Sequence, residues 1–246
     1  MSYLSPAKPH ILAHRGFARS GVDENTAAAF SAALALGATH IETDVRVTKD
    51  LVPVLFHDET LQRTMSDPRP VEEVTWEELT QLELANGGHV LSLDEALLVF
   101  ADAKFNIDFK SVKSIAPSAL VIRRMKAYDR VLVASFSQAR IRRAVRLLKG
   151  RSIASAGSVR VVLLYLFALF GLPVGFLAKG LAAVQVPVAQ AGLRFASKRF
   201  IRAMQKAGLA VHFWTINEPA EMERLVALGA DGIVTDRTDL AVATLR

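Results

Sequence analysis

The stretch Thr39-His-Ile-Glu-Thr-Asp-Val-Arg-Val-Thr48 decides the fold that we predict for this chain. Because side chains alternate sides along a β-strand, Ile41 and Val45 fall on one face. Glu42 and Asp44 fall on the other face, which brings two carboxylates, about 7 Å apart, into one enclosed space. Two such charges raise each other's pKa or bind a cation, and oxygen ligands favour a hard metal ion. An edge strand with both carboxylates in water is the alternative that the rest of the chain must exclude.

Length and composition limit the class of protein. The chain has 246 residues, of which 51% are hydrophobic, and a (β/α)₈ barrel typically needs about 250 residues. It contains no Cys, which excludes disulfides and thiolate metal sites, and residues 1–9 lack a secretory pattern, so we expect a cytoplasmic protein. The formal charge of +6 suits an anionic ligand or an anionic membrane surface. Basic residues are spread over helices without interleaved aromatic residues, so we expect no nucleic-acid partner.

Strand-like runs followed by helical periodicity recur along the whole chain. We predict eight strands, at residues 10–14, 41–47, 105–109, 131–135, 152–156, 182–186, 211–215 and 232–235. Strands and helices that alternate in this order form a closed parallel barrel. The predicted fold class is therefore α/β, a single (β/α)₈ TIM-barrel domain over residues 1–246.

One loop is predicted to be much longer than the others. Residues 52–56 form an extended run directly after the second strand, without an intervening helix, which predicts a hairpin. Thr75-x-x-Glu78 and Ser92-x-x-Glu95 have the spacing of capping boxes, so helices are expected to begin there. The loop after strand two thus carries an inserted hairpin and a short helical segment, over about residues 49–91.

Polar residues interrupt the apolar runs near the carboxyl ends of the predicted strands, where barrels of this class place their chemistry. The candidate site residues are His14, Arg15, Glu42, Asp44, His57, Asp108, Lys110 and Trp214. Asp108 and Lys110 share one face of the third strand, so a third carboxylate points to the same mouth. This convergence of carboxylates from separate strands predicts a metal site.

Seven short motifs resemble, in their order and spacing, those of the glycerophosphodiester phosphodiesterase family. They are His14-Arg15-Gly16, Glu24-Asn25-Thr26, Glu42-x-Asp44, Pro53-Val-Leu-Phe-His57-Asp58, Asn106-Ile-Asp108-Phe-Lys110, Trp214-Thr-Ile-Asn217 and Asp231-Gly-Ile-Val-Thr-Asp236. The resemblance extends over residues 11–236. It implies a TIM barrel that hydrolyses a glycerophosphodiester to glycerol 3-phosphate and an alcohol with the help of a metal ion.

The resemblance also implies roles for individual residues. His14 and His57 would be the general acid and base, and Glu42, Asp44 and Asp108 would be the metal ligands. The family commonly has Glu where this chain has Asp108, whose side chain reaches about 1.5 Å less far. Carboxylate ligands in a chain without Cys favour Mg²⁺ or Ca²⁺ over zinc.

The chemistry of a phosphodiester agrees with these roles. Its cleavage requires charge neutralisation on the phosphoryl oxygens, removal of one proton from the nucleophile and delivery of one to the leaving oxygen. A hard dication with Arg15 and Lys110 beside it performs the first task. The histidine side chain as a class titrates near neutrality, so His14 and His57 can perform the other two. Trp214 either packs on the glycerol or alcohol moiety or fills the core.

The sequence leaves the alcohol, the nucleophile, the metal and the oligomeric state open. Either water attacks phosphorus directly, or a neighbouring hydroxyl of the substrate attacks first and gives a cyclic phosphate. A non-catalytic barrel that binds phosphate or phospholipid is the competing class. The presence of competent residues at every position needed for catalysis argues against that class.

Residues 161–178 carry no charge and border in length on a transmembrane helix, which needs about 20 apolar residues. Gly171, Pro173 and Gly175 break the segment after about ten helical residues, which are too few to cross a bilayer. Three alternatives remain for it: burial under neighbouring elements, a dimer contact, or an apolar lip on the active-site side that contacts a membrane. The third alternative would make the natural substrate a lysophospholipid.

Overall fold

A ring of parallel strands surrounded by helices forms the body of the protein, in a computed structural model that describes residues 2–19 and 21–246. The strands are β1 His10–His14, β2 His40–Val47, β3 Phe105–Phe109, β4 Val131–Ala134, β5 Ile153–Ala154, β6 Ala183–Val186, β7 Ala210–Phe213 and β8 Gly232–Thr235. The helices that follow them are α1 Ala27–Leu36, α2 Leu93–Val99, α3 Ile115–Arg124, α4 Gln138–Leu147, α5 Ser158–Leu169, α6 Lys198–Lys206, α7 Pro219–Leu228 and α8 Thr238–Leu245.

The strands close into a barrel. From β5 back through β1 to β8 and on to β6, each strand pairs in parallel with the next. The last gap, between β5 and β6, is closed by a parallel bridge between Ser155 and Ala183. The amide of Ala182 also donates to the carbonyl of Ala154 at 2.9 Å. The predicted TIM barrel is therefore confirmed.

The long loop after β2 folds as an inserted hairpin with short helices. Pro53–Leu55 pairs antiparallel with β2. The short helices are Gln62–Met65, the 3₁₀ turn Val71–Glu73 and Trp76–Thr80. Both predicted capping boxes form, at Thr75 and at Ser92. A separate small cluster of buried residues, including Val54, Leu61 and Leu79, holds the insertion together.

Several local elements differ from the sequence-based prediction. β5 has only two paired residues because Ser152 and Ser155 flank a very short apolar run. The helix α1 begins directly after Thr26, whose hydroxyl accepts from the amide of Ala29. Unpredicted elements are the 3₁₀ turn Ala127–Arg130, the helix Gly175–Ala178, and a small hairpin of Ala189–Gln190 with Leu193–Arg194.

The floor of the barrel, opposite the carboxyl ends of the strands, is filled by buried histidines and Tyr3. The His10 and His212 rings approach to 3.3 Å between Nδ1 and Nε2, and His40 Nε2 lies 2.9 Å from the carbonyl of Tyr3. Burial lowers the pKa of all three histidines, that of His212 to about 3. They are therefore neutral at pH 7 and serve as packing groups beneath the cavity.

The apolar segment 161–178 is divided between burial and exposure. Its buried side chains are Val161, Leu164, Ala168, Val174 and Ala178, which belong to the core cluster of the second half of the barrel. Its most exposed side chains are Phe170, Leu172 and Phe176. The predicted burial under neighbouring elements therefore holds for one stripe of the segment. The predicted dimer contact and membrane contact of the exposed side chains stay predictions. Across residues 2–19 and 21–246, the helices fall short of the length and hydropathy that a bilayer crossing requires.

Candidate active site

A cavity of about 530 Å³ opens at the carboxyl ends of the barrel strands. The period of two along each strand turns alternate side chains into this space, while the intervening apolar residues face the helices. The eight residues predicted as site residues all line the cavity: His14, Arg15, Glu42, Asp44, His57, Asp108, Lys110 and Trp214. The structure thus brings the whole predicted set together, although the residues come from distant parts of the chain.

The turn after β1 places His14 and Arg15 at the edge of the cavity. Arg15 has a φ of 56° and Gly16 a φ of 83°, so the chain reverses within two residues. A Cβ at Gly16 would lie 2.7 Å from the Cβ of Ala29, which is a steric clash. Only glycine meets both requirements, because it has no Cβ and adopts positive φ without strain.

Each of the two histidines is held by an aspartate through the same ring nitrogen. Nδ1 of His14 lies 2.6 Å from Asp236, and Nδ1 of His57 lies 2.7 Å from Asp58. Each carboxylate accepts a hydrogen bond from Nδ1–H, so that Nε2 of the neutral ring is free to accept a proton. Asp236 is itself fixed by the side-chain amide of Asn217 at 2.8 Å. Both histidines are thus oriented for proton transfer through Nε2.

The pKa of His14 reflects opposing effects. Burial lowers it, but the hydrogen bond to Asp236 and the nearby Glu42 carboxylate outweigh burial, so the pKa is raised above its ordinary value. Nε2 of His14 lies 3.9 Å from Glu42. The pKa of Asp236 is held below its usual range because its hydrogen bonds to His14 and Asn217 overcome partial burial.

Two cations neutralise the central carboxylate, Asp44. The Lys110 ammonium lies 2.8 Å from Asp44 and 2.7 Å from Asp108, so it bridges the two neighbouring strands. Arg15 Nε lies 3.3 Å from Asp44 without hydrogen-bond alignment. Burial alone would raise the pKa of Asp44, but these cations hold it below its usual range. Glu42 has no such partner, and burial together with Asp44 raises its pKa to about 7.

The donor set fits a hard divalent cation in its chemistry. Oδ1 of Asp108 and Oδ1 of Asn106 are buried acceptors without a hydrogen-bond partner among the described residues, and a cation would satisfy such oxygens. As the side chains stand, however, no three or more His, Asp or Glu residues of the described chain converge closely enough to hold a metal. The Lys110 ammonium occupies the space between Asp44 and Asp108. We expect that a metal ion bound by both aspartates would displace this ammonium.

Three residues that support the site were not predicted in these roles: Asp236, Asp58 and Asn25. Asp236 and Asp58 orient the histidines, and both follow strand ends, which is the signal that could have identified them. Asn25, which lies two residues before α1, donates to Asp44 at 3.4 Å and accepts from the Thr43 hydroxyl at 2.7 Å. Glu24 holds Arg15 at 3.1 Å.

Trp214 is half-buried and stands on the uncharged side of the cavity. Its ring contacts Phe136 edge to face, with 5.9 Å between the centroids. The ring faces the cavity and also packs against a neighbour, so both predicted roles, substrate contact and core filling, stay open for it.

Comparisons with known proteins agree with the geometry. Residues 14–240 match the model of the Glycerophosphoryl diester phosphodiesterase family. The chain is 37% identical over 235 residues to the probable glycerophosphodiester phosphodiesterase 2 of Mycobacterium tuberculosis. This alignment covers 93% of this chain and 88% of that protein. It also resembles the crystal structure of a glycerophosphodiester phosphodiesterase from Agrobacterium tumefaciens, with a TM-score of 0.79, 26% identity, and coverage of 96% and 98% of the two chains.

A third relative shares the fold and carries a ligand. It is a phosphodiesterase from Oleispira antarctica in complex with the product sn-glycerol-3-phosphate, with a TM-score of 0.78 and 21% identity. The match covers 96% of this chain and 96% of that one. At this level of identity the likeness concerns the barrel alone.

The aspartate beside His14 can be tested by titration. Replacing Asp236 by Asn removes an interaction that raises the pKa of His14, so His14 should stay neutral to lower pH. Histidine resonances followed by NMR across pH 4–9 in metal-free protein should show this downward shift. Asp239→Asn, which alters an ion pair with Arg237 outside the cavity, is the matched control and should leave the titration of His14 unchanged. An unaltered His14 titration in Asp236→Asn would contradict the assignment.

Proposed function

Because the chain belongs to the glycerophosphoryl diester phosphodiesterase family, we propose that its two histidines and three carboxylates carry out metal-dependent hydrolysis of a glycerophosphodiester to glycerol 3-phosphate and an alcohol. The enzyme is a glycerophosphodiester phosphodiesterase. The observation that carries the finer proposal is the paired arrangement of His14–Asp236 and His57–Asp58 at one cavity. Two proton-transfer groups are what the cleavage of a phosphodiester needs.

The reaction forms a bond between the nucleophile oxygen and phosphorus and breaks the bond between phosphorus and the alcohol oxygen. One histidine takes the proton of the nucleophile, and the other gives a proton to the leaving alkoxide. Because Nδ1 of each ring is engaged by an aspartate, both transfers use Nε2. The nucleophile is either water or a neighbouring hydroxyl of the substrate; in the second case a cyclic phosphate forms, and water then opens it to the phosphomonoester.

Glu42, Asp44 and Asp108 would hold the metal ion, which we propose to be Mg²⁺ or Ca²⁺. When bound, the ion supplies positive charge that stabilises the phosphoryl oxygens. Lys110 and Arg15 bind the phosphoryl group, since both cations already face the cavity beside the carboxylates. The buried, partnerless Oδ1 of Asp108 supports this ligand set.

Two variants distinguish a residue that binds the metal ion from a residue that transfers a proton. Hydrolysis of glycerophosphocholine should disappear in chelator and return with Mg²⁺ or Ca²⁺. Glu42→Gln should lose metal binding and activity together, whereas His57→Ala should keep metal binding by calorimetry and lose about 10²- to 10⁴-fold in kcat/KM. The exposed His89, changed to Ala, is the control and should retain both. Full turnover after dialysis into chelator would rule out the metal, and near wild-type turnover of His57→Ala would rule out its role.

We also propose a cytoplasmic enzyme that contacts membranes peripherally through the exposed stripe of segment 161–178. The stripe is apolar, the flanking residues Arg160 and Lys179 are cationic, and the net charge is positive. These features favour an anionic lipid surface. Among the described residues of α5, those that line the cavity are Ser158, Val161 and Val162, so the stripe extends along the side of the barrel and not solely around its mouth.

The membrane contact is testable by cosedimentation with anionic vesicles at low salt. Wild type should pellet, and Leu166→Glu/Phe170→Glu should stay in the supernatant because charge is placed on the apolar stripe. Leu98→Glu/Val99→Glu, on the equally exposed end of α2, is the matched control and should pellet like wild type. Wild type in the supernatant, or a stripe variant that pellets equally, would exclude the contact.

A further inference from the structure

The cavity is divided into a charged half and an uncharged half. The charged half comes from β1 to β3 and the insertion, and its ionisable residues are His14, Arg15, Glu42, Asp44, His57, Asp108 and Lys110. The other half is lined by side chains that come from the segments 134–136, 155–162, 185–195, 214–215 and from residue 234. None of the described residues that line this second half carries a charge. A phosphodiester and its metal need only the first half.

The uncharged half has a wall of large apolar side chains, which we call the apolar annex: Phe136, Val161, Val162, Leu193, Phe195 and Trp214. The first five residues of α5 include the two valines of the annex, and the connection from β6 to α6 supplies Leu193 and Phe195. The Phe195 ring is fixed between Tyr165 and Phe200, at centroid distances of 5.1 Å and 5.5 Å. The annex is therefore a shaped apolar surface and not a loose loop.

The annex continues onto exposed apolar surface. Phe136 is 57% exposed and Val162 is 39% exposed, although both line the cavity. Leu163 and Leu166, on the same helix, are 40% and 37% exposed. A hydrocarbon chain that enters the annex would thus leave it over apolar side chains. Water-exposed apolar surface that runs into a cavity marks a binding site for an apolar group.

One polar group in this half lacks a partner. Nε2 of the Gln185 side chain is buried, lines the cavity and donates to no atom of the described residues. A buried amide donor without an acceptor is costly, and a substrate oxygen would satisfy it. An ester carbonyl, at the junction between a glycerol and a hydrocarbon chain, is an acceptor of this kind.

We propose that the substrate of this enzyme is a glycerophosphodiester that carries one hydrocarbon chain, a lysophospholipid, with its phosphoryl group in the charged half and its chain in the apolar annex. The inference rests on the proposed function and names its substrate class. The chemical step is unchanged: the nucleophile oxygen bonds to phosphorus, the bond to the head-group oxygen breaks, and that oxygen receives a proton. With water as the nucleophile, the products are a monoacylglycerol phosphate and the head-group alcohol; with the glycerol hydroxyl as the nucleophile, a cyclic phosphate forms first and water then opens it.

The chain length of the substrate provides the test. Wild-type kcat/KM should be measured with Mg²⁺ or Ca²⁺ on glycerophosphocholine and on lysophosphatidylcholines of increasing chain length, each below its micelle concentration. Each buried methylene strengthens binding by roughly fourfold, so kcat/KM should rise steeply until the annex is full. A flat series alongside active hydrolysis of glycerophosphocholine would overturn the inference and leave the proposed function intact. No hydrolysis of either substrate would instead defeat the proposed function, and the inference with it.

A pair of variants on α5 tests whether the hydrocarbon chain of the substrate lies in the annex. Val162→Asp places a charge in the annex and should reduce the ratio of kcat/KM for long-chain lysophosphatidylcholine to that for glycerophosphocholine by at least tenfold. Val159→Asp makes the same change one turn earlier, at a 70% exposed position that does not line the cavity, and should leave the ratio as in wild type. If folded Val162→Asp keeps the wild-type ratio of the two kcat/KM values, the hydrocarbon chain does not bind in the annex. If Val162→Asp does not fold, the wild-type chain-length series decides alone.

Discussion

The burial of like-charged carboxylates at one end of the barrel is the constraint on which the rest of the site depends. Parallel pairing of β2 with β3 places Asp44 beside Asp108. Glu42 lies two residues before Asp44, on the same face of β2. Three carboxylates in so little space repel one another unless cations compensate them. Lys110 and Arg15 supply that compensation in the structure, and a divalent metal would supply more of it during the reaction.

The surrounding residues are arranged around this charge. Glu24 holds Arg15 and Asn25 reaches Asp44, so the turn that carries Arg15 and the helix that follows are tied to the carboxylates. Nε2 of His14 lies near Glu42, while the opposite nitrogen is fixed by Asp236. Among the described residues, Glu42 has only His14 within ion-pair distance, whereas Asp44 has Lys110 and Arg15. This difference explains why the pKa of Glu42 rises and that of Asp44 falls.

The sequence was sufficient for those parts of the site that depend on local periodicity. Alternation along β2 and β3 placed the carboxylates and Lys110 on the inner face, and the structure agrees. The partner of His14 depends on barrel closure, because Asp236 is 222 residues away and reaches it only when β8 pairs with β1. The hairpin at residues 189–194 was also missed, since strands of two residues have no periodicity to detect. Segment 161–178 is uniformly apolar in sequence, and only the fold separates its buried, cavity-lining and exposed side chains.

A crystal structure of the enzyme grown with Ca²⁺ and glycerol 3-phosphate tests the central claim most directly, which is that the carboxylates exchange a protein cation for a metal ion. The account predicts one Ca²⁺ bound by Glu42, Asp44 and Asp108, with the Lys110 ammonium moved from between the two aspartates onto the phosphate. A cavity in which Lys110 still bridges Asp44 and Asp108, with the phosphate bound and Ca²⁺ absent or elsewhere, would contradict it.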